Sequence, residues 1–183
     1  ADVLLMNRRK APDGTHSPWP FRVKAETGAA NEEYTANLAT TLELFDELMR
    51  LGVGDISGYR TARDAAWQWL LDYPFKTNLW SNAFEDQEYY HDEKLDPTQY
   101  IALKIMQYVM ERPEVDPDYR THFAGILPWV EQNFGKDTAT EKGIQYGAYV
   151  ISEQAIYMEK MGNHTARYAS SAALWAERTG DLS

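Results

Sequence analysis

The chain has 183 residues, a formal net charge of −10 and no cysteine. This length allows one domain with a sizeable hydrophobic core, while the lack of cysteine excludes disulfides, thiolate zinc sites and a cysteine nucleophile. Basic residues cluster nowhere beyond Arg8-Arg9-Lys10, and no window is apolar enough for a membrane span, so neither nucleic acid nor a membrane is an expected partner.

Residues 1–30 show no clear helical pattern and are predicted to form a non-helical lead-in. Its segment Pro20-Phe21-Arg22 resembles Pro74-Phe75-Lys76 in a later connection. The lead-in is therefore interpreted as an earlier long connection, whose preceding helix is reduced to ADVLLMNRRK or missing.

A first pair of helices is predicted within residues 31–74. Residues 37–52, NLATTLELFDELMRLG, place apolar side chains on one broad face and end at a glycine, the usual left-handed C-terminal residue. Residues 57–74, SGYRTARDAAWQWLLDYP, begin with serine and end just before proline, both typical of helix boundaries. The link between the two helices is short.

Two further pairs are predicted within residues 96–135 and 146–180. The second pair joins DPTQYIALKIMQYVMERP to DPDYRTHFAGILPWVEQNFG, in which Pro128 predicts a kink near residues 124–127. The third pair joins YGAYVISEQAIYMEKMG to HTARYASSAALWAERTG. The predicted organisation is a lead-in, 1–30, and a helical-hairpin repeat domain, 31–183.

The second helices of the pairs share a motif. Tyr59-Arg60-Thr61 matches Tyr119-Arg120-Thr121, and a tryptophan stands ten residues after each tyrosine. These tryptophans are Trp69 and Trp129, and Trp175 has the corresponding place in the third pair; with Trp67, they are expected to be core wedges. Because successive helices are expected to run antiparallel, the long links between pairs gather at one end. The predicted fold is all-α, with three antiparallel helical hairpins forming an arc or part of an (α/α) toroid.

The stretch from Asn78 to Asp96, NLWSNAFEDQEYYHDEKLD, concentrates aromatic and acidic residues between predicted helices. We call it the acidic connection. Trp80 can stack on a sugar ring, and repulsion between the adjacent carboxylates of Glu85 and Asp86 can raise the pKa of one of them toward that of a useful acid. The alternative is a solvated acidic loop with its aromatic side chains packed underneath.

Glu153 is a single carboxylate in an otherwise apolar predicted helix, so it either enters a cavity or caps another element. Glu43 has the matching place in the first pair, which favours an architectural role. His122 and His164 are expected to be structural. No two histidines have metal-binding spacing and no glycine-rich phosphate loop is present, so no metal and no other cofactor is expected.

These features together resemble the six-hairpin glycosidase-like superfamily. The resemblance rests on the repeated YR…W helices, the W…FED segment of the acidic connection and the ISEQ…KMG segment from Ile151 to Gly162. It implies an (α/α) toroid of nested helical hairpins, in a superfamily that includes glycoside hydrolases, polysaccharide lyases and sugar epimerases. Since three hairpins are about half of such a toroid, the resemblance implies a portion of a larger barrel, and it favours a secreted or periplasmic location.

The expected function is a carbohydrate-active module, part of a glycoside hydrolase or polysaccharide lyase-like enzyme that binds an oligo- or polysaccharide at the long-loop rim. The acid/base candidates are Glu85, Asp86 and Glu153. The substrate-binding candidates are Trp80, Tyr89, Tyr90, His91 and Tyr146. The alternative is a non-catalytic helical-repeat scaffold that binds protein partners, and unpaired hairpin surfaces would also favour self-association.

Overall fold

A computed structural model describes residues 1–32, 34–80, 98–136, 150–152 and 162–181. The chain is mostly helical, and the described ranges hold four short strands in two antiparallel pairs. The all-α prediction is therefore confirmed. The chain divides into two compact units, unit 1 from Ala1 to Leu95 and unit 2 from Asp96 to Ser183. The lead-in is part of unit 1.

Unit 1 is built on helices that the lead-in helps to cover. Its described helices are α1 (Asp2–Asn7), α2 (Ala39–Leu51), α3 (Ile56–Asp72) and α4 (Pro74–Thr77). Strands β1 (Arg22–Val23) and β2 (Ala30–Glu32) pair antiparallel. Helix α1 corrects the prediction of a non-helical lead-in and agrees with the interpretation that a preceding helix is reduced to ADVLLMNRRK. It is too short to show a sequence period. Such a helix depends on tertiary contacts.

The first predicted pair of helices is present as α2 and α3. Helix α2 ends at Gly52, whose φ of 68° is left-handed, as predicted. Helix α3 is capped by Asp55 instead of Ser57, since the Asp55 carboxylate accepts a hydrogen bond from the Gly58 N–H at 2.9 Å. Gly54, with φ of 81°, completes the turn, and a Cβ there would collide with the Tyr59 hydroxyl.

The contacts between helices α2 and α3 include an aromatic stack and an ion pair. The rings of Phe45 and Tyr59 stack with centroids 5.4 Å apart, and Phe45 is fully buried. Arg63 donates to the Asp46 carboxylate at 2.8 Å, and both side chains are largely shielded from solvent. The sequence periodicity thus predicted the apolar face of α2. The ion pair lies beside this apolar contact, and its two shielded charges neutralise each other.

Tryptophan side chains hold the lead-in on the helices. The indole N–H of Trp19 donates to the Leu4 carbonyl at 2.8 Å, and the ring of Trp19 lies 6.0 Å from that of Phe45. The indole N–H of Trp69 donates to the Asp13 carbonyl at 2.9 Å. Both indoles are buried. The irregular backbone at Asp13 is therefore fixed to α3 by a side-chain donor, while Trp19 joins α1 to Phe45 of α2.

Unit 2 surrounds one deeply buried helix. Its described helices are α5 (Gln99–Glu111), α6 (Tyr119–Phe123), α7 (Ile126–Phe134) and α8 (Gly162–Thr179). Along α5 the fully buried side chains are Gln99, Ile101, Ala102, Leu103, Ile105, Met106, Tyr108, Val109 and Met110. Such a helix has an apolar surface on most sides, so α6, α7 and α8 pack around it.

The kink predicted near residues 124–127 is confirmed. Helix α6 ends at Phe123 and α7 begins at Ile126, so the expected single helix is broken at Ala124 and Gly125. Pro128 has no N–H to give to the carbonyl four residues before it, and its ring presses on that turn. The break follows from this one residue.

The helix predicted over residues 146–162 is wrong at Val150 and Ile151, which form strand β4. This strand pairs antiparallel with β3 (Gly135–Lys136), and Gly135 lies opposite Ile151. Both β4 residues are β-branched, which favours extended backbone, and the pairing supplies hydrogen bonds that local sequence does not reveal. Residues 146–149 and 153–161 lie outside the described residues.

The directions of α5 and α8 also differ from the predicted alternation. Gln99 in the first turn of α5 contacts His164 in the first turn of α8, and Gln107 contacts Ser170 further along both helices. The two helices therefore run in the same general direction. An alternation of helix directions required an unbroken helix over residues 146–162, and strand β4 interrupts that predicted helix.

The hydroxyl of Tyr59 joins α3 to α1 and gives a testable pH dependence. It donates to the Asp2 carboxylate at 2.8 Å, and this bond raises the pKa of Tyr59. A raised pKa means that the stabilisation is complete below the ordinary tyrosine value of about 10 and is lost as the pH rises through the higher folded value. We expect Tyr59→Phe to lower the free energy of unfolding at pH 7, because the bond to Asp2 is lost.

Urea unfolding at pH 7 and at pH values above 10 checks this expectation. The difference between the wild type and Tyr59→Phe should shrink in alkali. Tyr73→Phe is the matched control, because the Tyr73 hydroxyl makes no hydrogen bond within the described part of the chain. A difference that stays constant across this pH range would contradict the role of the Asp2 bond.

Candidate functional site

Most of the predicted site residues lie outside the described ranges. These residues are Glu85, Asp86, Tyr89, Tyr90, His91, Tyr146 and Glu153. Their predicted roles in acid/base chemistry and sugar binding stay predictions. The structure does describe Trp80 and the segment that leads into the acidic connection, and these show how the connection begins.

Trp80 lies in the core of unit 1 instead of on a rim. Its side chain is 0% exposed, and its ring packs edge-on against Phe75 with centroids 4.9 Å apart. A fully covered indole has no face to offer a sugar ring, which corrects the stacking role expected for Trp80. The loop sequence gave no sign of this, because an aromatic residue suits both an exposed platform and a buried anchor.

The start of the acidic connection, residues 78–80, is held to unit 1 by several contacts, and we call it the root segment. Asn78 has a left-handed φ of 54°, and the Leu79 N–H donates to the Thr77 hydroxyl at 3.2 Å. The Leu79 carbonyl accepts a hydrogen bond from the Tyr34 hydroxyl at 3.0 Å. With Trp80 buried beyond it, the acidic connection begins from a fixed point.

Tyr34 is itself firmly placed. Its side chain is 5% exposed, and its ring lies 5.5 Å from the ring of Trp69. Burial raises the pKa of the Tyr34 hydroxyl, so this group stays protonated and remains a donor throughout the neutral range. The bond to Leu79 therefore does not change with pH under ordinary conditions.

In unit 2, a buried polar cluster joins α5, β4 and α8. The Gln99 amide nitrogen donates to the Ser152 carbonyl at 3.2 Å and lies 2.8 Å from His164 Nδ1. All three residues are buried. A carbonyl only accepts, so the amide nitrogen must face Ser152, and His164 Nδ1 must then accept as well. This places the proton of the neutral imidazole on Nε2.

Further bonds extend the cluster. The Ser152 hydroxyl donates to the Phe134 carbonyl at 3.1 Å, and the Ile151 N–H donates to the Thr165 hydroxyl at 3.1 Å. The ring of Tyr100 meets the His164 imidazole edge-on, with centroids 6.4 Å apart. These contacts fix β4 between helices, so His164 has a structural role here, in line with the interpretation of the sequence.

Gln99 was missed by sequence reasoning, although a signal was available. Leu103 and Met106 follow it at helical spacings of four and seven residues, and both are fully buried. A polar residue in line with such a pair faces the core and requires partners. Its Oε1 finds no partner among the described residues.

His122 forms the second histidine contact of unit 2. Its Nδ1 lies 2.6 Å from the carboxylate of Asp116, which is 5% exposed and also accepts from the Asp118 N–H at 3.1 Å. A carboxylate that orients an imidazole occurs in catalytic sites, but here the same carboxylate also shapes the link between α5 and α6. The contact between His122 and Asp116 therefore stabilises the turn between α5 and α6.

Two absences concern only the described ranges. Within them, no three His, Asp or Glu side chains come together in a way that could hold a metal ion. No helix in the same ranges is both long and apolar enough to cross a membrane.

Replacing Gln99 should show how much the buried cluster contributes. In Gln99→Leu, the Ser152 carbonyl and His164 Nδ1 lose their shared donor inside the core. We expect the free energy of unfolding to fall by about 2 kcal/mol, since two buried hydrogen bonds are lost and each contributes about 0.5 to 1.5 kcal/mol.

Gln107→Leu on the same helix is the matched control, because the Gln107 amide donates to Ser170 at the surface. That change should cost less than about 1 kcal/mol. Urea unfolding of both variants gives the comparison, and equal losses at the two positions would contradict the role of the buried cluster.

Comparison with known proteins assigns no family to this chain. No family model matches it, and neither a curated protein nor a solved structure matches it. The resemblance to the six-hairpin glycosidase-like superfamily therefore depends on the residues of the sequence alone, and the function that it implies is carried forward as a proposal.

Proposed function

We propose that the chain is a carbohydrate-active helical module, part of a glycoside hydrolase or polysaccharide lyase-like enzyme, in which the acidic connection binds an oligo- or polysaccharide. One observation carries this proposal: the root segment is fixed to the core of unit 1 through the Tyr34–Leu79 hydrogen bond and the buried Trp80. A scaffold whose long links merely join helices has no need of such an anchored start.

The fixed start matters because ordering a loop opposes binding. Immobilising side chains and backbone at a site costs free energy, and preorganisation removes part of that cost. Functional side chains also act best when rigid elements hold them. Tyr34, Leu79 and Trp80 supply this support at the point where the connection leaves the core.

Within the connection, the residue types suit a sugar. Tyr89 and Tyr90 carry flat rings for the apolar faces of pyranose units, and His91 can donate to or accept from hydroxyl groups. Glu85 and Asp86 supply two carboxyl groups, the usual requirement of glycoside hydrolysis. Tyr146 and Glu153 are the further candidates from the third predicted pair. All these roles are proposals.

The finer architecture also belongs to this proposal. We take α2 with α3, and α5 with α6 and α7, as successive hairpins of an (α/α) arrangement that continues in a larger toroid. The shared motif supports this: Tyr59 and Tyr119 are both buried, and each meets one large ring, Phe45 and Trp175 respectively. Both motif tyrosines thus anchor their helices in a core, although Tyr59 stacks on Phe45 of α2 and Tyr119 meets Trp175 of α8 edge-on.

Protein binding is the second candidate function, and exposed apolar side chains favour it. Val3 and Met6 on α1 are 70% and 83% exposed, and Leu51 and Val53 around the end of α2 are 56% and 53% exposed. Apolar surface of this kind is found at interfaces between proteins and between copies of one chain. It would serve a scaffold or support self-association.

Calorimetric titration with neutral and acidic oligosaccharides tests the carbohydrate proposal. We expect the wild type to bind at least one of these classes. The double variant Glu85→Gln, Asp86→Asn should weaken binding at least about tenfold, equivalent to about 1.4 kcal/mol. Glu114→Gln, at an exposed glutamate in unit 2, should leave affinity unchanged. No heat with any sugar, combined with self-association at rising concentration, would favour the second candidate.

The root segment gives a separate prediction. Tyr34→Phe removes the donor to the Leu79 carbonyl and should lower the free energy of unfolding by about 1 kcal/mol. It should also weaken sugar binding several-fold, because the connection then starts from a looser point. Tyr73→Phe is the control in both measurements. Unchanged affinity in Tyr34→Phe would show that the anchored root does not support the site.

A further inference from the structure

A cavity of about 420 Å³ lies in unit 1 between α1 and the first turns of α3. Its volume is within the range of small-molecule sites. The lining side chains that matter here are Leu5, Arg8, Asp55, Ser57, Thr61 and Ala62. The root segment is held near the other end of α3, through Tyr34 and Trp69. The cavity is thus separate from the site proposed above.

Arg8 is the feature that points to a ligand. Its side chain is half-buried, and it makes no hydrogen bond or ion pair with any part of the chain that the structure describes. Other partly buried arginines of unit 1 are satisfied: Arg9 donates to the Ser17 carbonyl at 3.0 Å, and Arg63 pairs with Asp46. Arg8 therefore lines the cavity without a partner among the described residues, and an anion bound there would pair with its guanidinium.

The remaining polar groups define the anion more closely. Thr61 donates its hydroxyl hydrogen to the Ser57 carbonyl at 2.9 Å, so its oxygen is left as an acceptor. The Ser57 hydroxyl also lines the cavity. Asp55 uses one carboxylate oxygen to cap α3, and its second oxygen can accept a hydrogen bond from a ligand hydroxyl. The cavity therefore offers one cation and several acceptors.

The negative charge of Asp55 limits the charge of the ligand. A dianion such as phosphate would meet one favourable cation and one unfavourable carboxylate, whereas a monocarboxylate can direct its charge to Arg8 and its hydroxyl groups to Asp55. Leu5 and Ala62 add apolar surface for a carbon chain. Gly58 allows the Asp55 carboxylate to lie against the first turn of α3, because a Cβ at this position would collide with that carboxylate.

We propose that this cavity binds a small hydroxylated monocarboxylate, with its carboxylate on Arg8 and its hydroxyl groups on Asp55, Ser57 and Thr61. Arg8 supplies the attraction for the ligand carboxylate. Asp55 already caps the first turn of α3, so it acts here as an acceptor for a ligand hydroxyl. The proposal uses none of the residues assigned to the acidic connection.

Calorimetric titration with D-gluconate is the test. Sorbitol has a similar polyol chain without the carboxylate, acetate has the carboxylate without the hydroxyl groups, and inorganic phosphate presents more charge. We expect gluconate to bind at least tenfold more tightly than each of these three. Equal affinity for sorbitol, or tighter binding of phosphate, would overturn the proposal.

Arg8→Gln should lose at least tenfold in gluconate affinity, and Arg8→Lys should lie between it and the wild type, because a lysine keeps the charge without the paired donors. Arg60→Gln is the matched control, since Arg60 is exposed on the same part of α3 and does not line the cavity. Unfolding midpoints confirm that each variant is folded. Arg8→Gln affinity equal to that of Arg60→Gln would overturn the proposal.

The two proposals fail separately. Arg8→Gln should leave oligosaccharide binding at the acidic connection unchanged, and the Glu85→Gln, Asp86→Asn variant should leave gluconate binding unchanged. Loss of gluconate binding in the double variant would place the carboxylate at the acidic connection and overturn the assignment to the cavity.

Discussion

The indole of Trp69 is the contact on which unit 1 most depends. Its N–H holds the Asp13 carbonyl of the lead-in, and its ring packs against Tyr34. Tyr34 in turn holds the Leu79 carbonyl, which fixes the root segment. One side chain on α3 therefore connects the lead-in to the start of the acidic connection. A buried ring of this size contributes on the order of 2 kcal/mol or more from its apolar surface alone.

The two units solve the problem of irregular backbone differently. In unit 1, tryptophan and tyrosine side chains donate hydrogen bonds to carbonyls of the lead-in and the root segment while their rings fill the core. In unit 2, the Gln99 amide donates to the Ser152 carbonyl next to β4, and the same amide nitrogen contacts the His164 imidazole. Both solutions satisfy backbone groups that helices and sheets would otherwise pair. Unit 1 also holds the polar cavity lined by Arg8, whose side chain has no partner among the described residues.

Features set by local chemistry could be predicted from the sequence. Gly52 ends α2 because glycine accepts a left-handed φ, and Pro128 breaks the expected helix because it lacks an N–H. Features set by distant partners could not. Val150 and Ile151 become a strand because Gly135 and Lys136 lie beside them, and α1 is held to α3 by the hydrogen bond from Tyr59 to Asp2. For the candidate site, the sequence marked the acidic connection, but the inward turn of Trp80 depends on Phe75 and the surrounding core.

The attachment of the lead-in has a practical consequence for protein engineering. A truncation that starts at Asn31, the first residue after the lead-in, would remove Trp19 and Asp13. Phe45 would lose a neighbouring ring, and the Trp69 indole would lose its acceptor. Such a shortened protein would expose aromatic surface and be prone to aggregation, so a version of unit 1 intended for recombinant expression has to retain its first thirty residues.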